Sequence, residues 1–191
     1  LREVQLSNVT MTGADLSDAN LTSVRAHQVM LTGARMHDAR LNGASLVQVS
    51  LQGSNLRNAS LDGATVRSAD LRQTNLSNAR LDNIVMQHVI MHGAVLRDTN
   101  LSGAVLDHVD LTGANLRNAA FGGARLTVVN LSGADLAGAT GLDGDVLSGA
   151  CGDDSTRLPA GARITLADCA QTMAVAAPLN DRALLAEAEA R

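Results

Sequence analysis

The chain has 191 residues and a formal net charge of −4, and all fifteen of its basic residues are arginine. Residues 1–140 hold eleven arginines against eleven acids, so this part lacks the clustered basic charge of an electrostatic nucleic-acid binder. One Phe and no Tyr or Trp leave no aromatic platform for stacking bases, and no apolar run is long enough to span a membrane. We therefore expect neither nucleic-acid binding nor membrane insertion.

An apolar residue stands at every fifth position from Leu1 to Leu136, large at all of them except Ala26 and Val66, and a small residue lies two positions before nearly every one. A helix would turn by about 140° at each step of five, so it would not keep these residues on one face. The small and central apolar residues are separated alternately by two and by three positions. Residues two apart on an extended chain share a face, whereas a separation of three requires the chain to turn a corner. A fixed short repeat of this kind indicates a solenoid of stacked units.

The pentads Ala14–Asp18 (ADLSD) and Ala134–Gly138 (ADLAG) resemble those of the pentapeptide-repeat family. The resemblance covers residues 1–140 and implies an all-β fold, a right-handed quadrilateral β-helix with four pentads per coil. Residues 1–140 would then form about seven coils, in a rod roughly 34 Å long at a strand spacing of about 4.8 Å. Its tightly filled interior would leave no room for a ligand.

With twenty residues per coil, residues twenty apart become neighbours in a column along the rod. Ten glycines two places after a central residue fall on two opposite faces, where we predict type II corners because Gly tolerates a positive φ at the third turn residue. Mostly polar residues hold these places on the other two faces, where we expect more varied corners. The glycines are at positions 13, 33, 43, 53, 63, 93, 103, 113, 123 and 133.

Over six successive coils one column along the rod consists of Asp and Asn. We interpret it as structural, with side chains that form hydrogen bonds to corner backbone groups and stack as a ladder. The alternative is an acidic recognition stripe, which the Asn residues and the neighbouring arginines would weaken. The column consists of Asp18, Asp38, Asn58, Asn78, Asp98 and Asn118.

Among five histidines, His88 and His108 are twenty apart and should stack in adjacent coils. Two stacked imidazoles could share a metal or respond to pH. Ser68 and Val128 occupy the same column, so nothing obvious completes a ligand set. We therefore predict ordinary surface histidines, no metal site and no cofactor.

The outward position before each central residue is mostly polar, but apolar residues replace it around the fifth coil. These are Val85, Ile90, Val95 and Val105, with Val105 stacked above Val85. Contiguous exposed apolar area often marks a contact surface, so we predict a protein-partner surface here. The alternative is that they are ordinary β-formers on a partly shielded strand.

The repeat stops after Ala139, and residues 141–169 should cap the end of the rod, because an open sheet edge would pair with other chains. Both cysteines of the chain, Cys151 and Cys169, lie in this segment. A disulfide between them would staple a small element, while free thiols or a metal site remain alternatives. A disulfide would imply a periplasmic or secreted protein, and its absence a cytoplasmic one.

Residues 170–191 are predicted to form a linker followed by a short helix over 180–191, with Asn180 as N-cap. The family resemblance implies that such a helix can pair two rods, so a homodimer is an open expectation.

No catalytic constellation or phosphate-binding loop is present, so we expect no enzyme. The sequence favours a non-catalytic bacterial scaffold presenting a rigid β-helical surface to another protein. Family resemblance supplies one alternative, a DNA-mimicking binder of DNA gyrase or topoisomerase, as in quinolone resistance. A further alternative is a secreted or cell-envelope structural module.

Overall fold

The computed structural model describes residues 2–162 and 165–169, and these form a parallel β-solenoid of about eight turns. Within these residues nine strands pair in chain order in one parallel sheet, and a short helix, α1 (Gly144–Leu147), precedes the last two strands. The strands are β1 (Gln5–Ser7), β2 (Arg25–His27), β3 (Ser45–Val47), β4 (Thr65–Asp70), β5 (Val85–Ile90), β6 (Val105–Asp110), β7 (Arg125–Asn130), β8 (Ala150–Gly152) and β9 (Ala167–Asp168).

The pairing register is twenty residues throughout the repeat, as predicted. From β1 to β7 each strand residue faces the residue twenty positions later, for example Gln5 and Arg25. The other sides of the coil are joined by parallel bridges with the same offset, such as Asp15–Arg35 and Asn20–Arg40. The pentads therefore wind into stacked four-sided coils.

The interior is filled by the apolar columns that define the repeat. In coils two to seven the central residues and the small residues before them are almost completely buried, and Phe121 at the upper end is fully buried. Three polar residues also occupy the small positions, and each bonds a main-chain carbonyl. They are Ser54 and Thr74, which donate to the Leu51 carbonyl at 2.5 and 2.9 Å, and Thr99, which donates to the Leu96 carbonyl at 2.6 Å.

Three of the four corners in each coil are hydrogen-bonded turns. At the first glycine corner the Ala14 N–H donates to the Met11 carbonyl, and φ at Gly13 is +68°, as a type II turn requires. The Asp/Asn corner was expected to be more varied, but it has the same hydrogen bond, with φ +57° at Asp18. Asp and Asn tolerate the left-handed conformation, so in the first six coils this corner stays regular without Gly.

The fourth corner, at Asn8 and the residues stacked on it, differs from the other three. The third residue of each of these corners also has a positive φ, but in the first three coils, at Val9, Val29 and Val49, the N–H does not make the turn hydrogen bond seen at the other corners. Strands β4 to β7 instead run through it as six-residue segments. These strands join two faces of the rod into one bent surface.

Residues after Ala139 add an eighth, irregular turn to the seven regular coils. Val129 pairs with Ala150, 21 residues later, and Asp135 with Arg157, 22 residues later. The extra residues are taken up around α1, where the Asp143 carboxylate accepts from the Val146 N–H as an N-cap. Strand β9 then pairs with β8 beyond this turn.

No helix in the described part of the chain is long and apolar enough to cross a membrane. The predicted helix over 180–191 lies outside the described residues.

Candidate functional site

The inward columns are almost entirely apolar, whereas the outward columns differ in residue type from one coil to the next, so we expect a functional site among the outward residues. Val85 and Val105 are register partners in β5 and β6, and both are half-buried. Ile90 lies on the next face and is only 7% exposed, while Val95 lies on the face after that, bridged to Asn75 and Asn115. The four residues of the predicted partner surface are therefore distributed over three faces, and the Val85–Val105 pair is the part held together by strand pairing.

His88 and His108 stack at the fourth corner, as their spacing predicts. Their ring centroids are 4.8 Å apart and the ring planes are tilted by 35°. Nδ1 of His108 is 2.8 Å from Oδ1 of Asp107, a contact that the sequence analysis did not anticipate. Among the described residues no cluster of three or more His, Cys, Asp or Glu side chains is arranged to hold a metal ion.

The Asp/Asn column forms hydrogen bonds between coils, in line with its structural interpretation. Asn58 Nδ2 donates to Asp38 Oδ1 at 3.1 Å, and Asn118 Nδ2 donates to Asp98 Oδ1 at 2.9 Å. Nδ1 of His37 also lies 2.9 Å from Asp38 Oδ2. The contact from His37 and the bond from Asn58 lower the pKa of the Asp38 carboxyl.

A pair of stacked carboxylates lies at the corner before β4 and β5. Arg80 Nη2 contacts Asp62 Oδ2 at 2.9 Å, and Arg80 Nε lies 3.8 Å from Asp82 Oδ2. Oδ1 of Asp62 and Oδ2 of Asp82 are buried atoms without a hydrogen-bond partner. Desolvation, followed by the adjacent Asp62 carboxylate, raises the pKa of Asp82. Sequence analysis missed this pair, although a twenty-residue spacing between two acids was a readable signal.

Two further carboxylates, those of Asp15 and Asp153, accept hydrogen bonds from residues at the corners. The Ser155 hydroxyl and the Gly133 N–H donate to the Asp153 carboxylate and lower its pKa to about 2. The hydroxyl and N–H of Ser17 similarly lower the pKa of Asp15. These carboxylates are turn-stabilising groups with local partners.

The two cysteines form a disulfide across the end of the rod. Cys151 lies in β8 and Cys169 directly follows β9, with Cα atoms 4.8 Å apart. Both side chains are buried. The bond therefore joins the last two strands of the sheet where the regular repeat has ended.

Fold and surface together define a β-solenoid repeat protein with a filled apolar interior and polar outward columns. The pentapeptide-repeat model matches over residues 1–38, 34–73, 67–103 and 104–140, with eight copies. The chain belongs to the pentapeptide-repeat family. No curated protein matches the chain.

Several solved structures are similar to this chain. Full-length QnrB1, a plasmid-mediated fluoroquinolone resistance protein, is 18% identical, with 78% of this chain and 94% of that chain covered and a TM-score of 0.48. HetL, a pentapeptide repeat protein involved in heterocyst differentiation regulation from the cyanobacterium Nostoc sp. strain PCC 7120, is 28% identical, with 81% and 90% covered and a TM-score of 0.32. A pentapeptide repeat protein from the Arabidopsis thaliana thylakoid lumen is 21% identical, with 59% and 68% covered and a TM-score of 0.15.

Proposed function

We propose that this protein is a non-catalytic scaffold that presents a rigid β-helical surface to a protein partner. The observation that supports this most is the filling of the inward columns by apolar side chains, which are almost completely buried in coils two to seven. Most enzymes bind their substrate in a concave, mostly preformed cleft. In this rod the chemically variable groups lie on the outside, where they suit surface recognition.

We place the centre of the partner surface at Val85 and Val105. Their parallel pairing holds both side chains on the outer face of β5 and β6, the two central long strands. Thr65, the register partner of Val85 in β4, extends the same column without charge. An uncharged β-branched strip on a rigid sheet can bury apolar area against a partner at little cost in ordering. Ile90 and Val95 flank this strip on other faces.

The test compares the proteins bound by the wild type with those bound by Val105→Arg, using the purified full chain as bait. Val95→Arg is the matched control, because it introduces the same charge on a different face. We expect Val105→Arg to lose a partner that the wild type and Val95→Arg both retain. An identical bound set for all three proteins would contradict the proposed surface.

The DNA-mimicking alternative requires a rod with a strong surplus of negative charge. Several acids here contact arginines instead, as Asp62 does with Arg80 and Asp135 does with Arg117 at 3.2 Å. We therefore propose a scaffold rather than a DNA mimic. A gyrase supercoiling assay discriminates the two, because inhibition or protection by the protein would favour the mimic.

The disulfide favours an oxidising compartment, and with it a secreted or envelope role for the scaffold. We also propose that residues 141–169 act as the cap of the rod. Mass measurement of native protein with thiol-blocking reagent tests the redox state. Two blocked thiols in native material would contradict the envelope role but would leave the scaffold proposal standing.

A further inference from the structure

The fourth corner brings two imidazoles together on a rigid base. His88 and His108 both have φ of +53°, and the residues on either side of them are register partners, Gln87 with Asp107 and Val89 with Val109. The two Cα positions are therefore fixed one strand spacing apart. Ring centroids 4.8 Å apart, with a tilt of 35°, place two nitrogen-bearing rings side by side at the surface.

Asp107 controls which nitrogen of His108 is available. Its Oδ1 is 2.8 Å from His108 Nδ1, and a carboxylate at this distance holds the proton on Nδ1. The lone pair of the neutral ring then lies on Nε2. Carboxylates that orient a histidine in this way are a common feature around protein-bound metal ions.

We propose that His88 and His108 together bind one divalent transition-metal ion, with Asp107 orienting His108. Imidazole nitrogen suits Zn²⁺, Ni²⁺ and Cu²⁺, and the usual order of affinities makes Cu²⁺ the tightest of these. Water completes the coordination, because the described residues supply no third His, Cys, Asp or Glu in a suitable cluster. His88 is exposed, so the ion has direct access from solvent.

Tolerance of a positive φ explains why a histidine can occupy this corner, since Asn and Gln do so at Asn8, Gln28 and Gln48. That tolerance does not account for two histidines in ring contact, or for the carboxylate on one of them. Arg67, a cation on the same strand column, donates through Nε to Gln87 Oε1 at 2.7 Å. The Arg67 guanidinium is thus held at Gln87, the residue before His88.

The experiment is a titration of the metal-free full chain with Cu²⁺ and with Ni²⁺, followed by calorimetry. His88→Gln and His108→Gln are the test variants, because Gln already occupies this corner in two coils. His92→Gln is the control, an exposed histidine outside the pair. We expect one ion per wild-type chain, binding at least about tenfold weaker in each test variant, and no change in the control.

Asp107→Asn should weaken binding by about tenfold while keeping the stoichiometry. Equal affinity in the wild type and both test variants, or an equal loss in His92→Gln, would overturn the proposal. The Cu²⁺ electron paramagnetic resonance spectrum of the wild type is a readout that depends on no variant. Hyperfine coupling to two imidazole nitrogens is expected, and coupling to one or none would also overturn it.

Discussion

Asp62 and Asp82 stand one coil apart in the same outward column, and Arg80 contacts both carboxylates, at 2.9 and 3.8 Å. Asn100 Nδ2 also donates to Asp82 Oδ1. One arginine thus contacts two carboxylates, each of which has one buried oxygen without a hydrogen bond, Oδ1 of Asp62 and Oδ2 of Asp82. The twenty-residue stacking places two carboxylates side by side. Because their proximity favours a bound proton, the free energy of unfolding should depend on pH.

Burial, and then the Asp62 carboxylate, raise the pKa of Asp82 above 3.8, the ordinary aspartate value. The folded protein therefore holds the proton more tightly than the unfolded chain. The resulting stabilisation is present below the unfolded value and is lost as pH rises through the folded pKa. We expect Asp82→Asn to raise the melting temperature by a few degrees at pH 7, and this gain to vanish at pH values below the unfolded pKa.

Asp135→Asn is the control for the Asp82 substitution. The Ala137 N–H, and then Arg117, lower the pKa of Asp135, so its stabilisation is present above the unfolded value and lost as pH falls. This variant should lower the melting temperature at pH 7. Melting curves from pH 3 to 7 check both signs, and a loss of stability at pH 7 in Asp82→Asn would contradict the account.

Val128 is a β-branched residue at φ +53° in the fourth corner. The left-handed conformation costs a residue with a Cβ about 1–2 kcal/mol, and Asn offsets it by local hydrogen bonding. Val128→Asn should therefore raise the free energy of unfolding by about 1 kcal/mol in urea denaturation. Asn78→Val makes the reverse change at φ +59° and should lower it by a similar amount. Equal stability of Val128→Asn and the wild type would show that the positive φ at Val128 does not destabilise the fold.

Leu76 is a central residue with no exposed surface. Leu76→Ala leaves a cavity among tightly packed columns, so the free energy of unfolding should fall by about 2–5 kcal/mol in urea denaturation. Arg57→Ala, on the exposed surface, should change it by less than about 0.5 kcal/mol. An unchanged Leu76→Ala protein would mean that this column does not face the interior.

The Cys151–Cys169 disulfide closes a loop with a sequence separation of 18. Removing it in the double variant Cys151→Ser and Cys169→Ser frees the unfolded chain and should cost about 3 kcal/mol. Urea denaturation with and without reductant provides the measurement. Reductant should destabilise the wild type and leave the double variant unaffected, whereas equal stability of the two proteins without reductant would contradict a structural role.

The periodicity of the sequence predicted a solenoid of pentads, and the resemblance to the pentapeptide-repeat family supplied the coil of twenty residues that defines the columns. Together they placed Val85 beside Val105 and His88 beside His108. Periodicity gives only the inward or outward sense of a side chain, however. It marked Ile90 as outward, while the folded chain leaves 7% of that residue exposed.

Features that depend on side-chain conformations or on irregular backbone were not predictable in this way. The contact of Arg80 with two acids depends on the path its long side chain takes between coils. The eighth turn arises after the repeat has ended, where the register shifts from 20 to 21 and then 22 residues. Without a repeat, no sequence pattern specifies that shift.

Distances between spin labels along one outward column test the twenty-residue winding, on which every proposed surface depends. Labels introduced as unnatural amino acids at Gln5, Arg25 or Ser45, each paired with a label at Arg125, leave the disulfide intact. These positions share a column through successive register pairs. Pulsed electron paramagnetic resonance should give separations that shorten by about 4.8 Å from each pair to the next. Separations that do not shorten stepwise along this series would contradict the winding and the surfaces built on it.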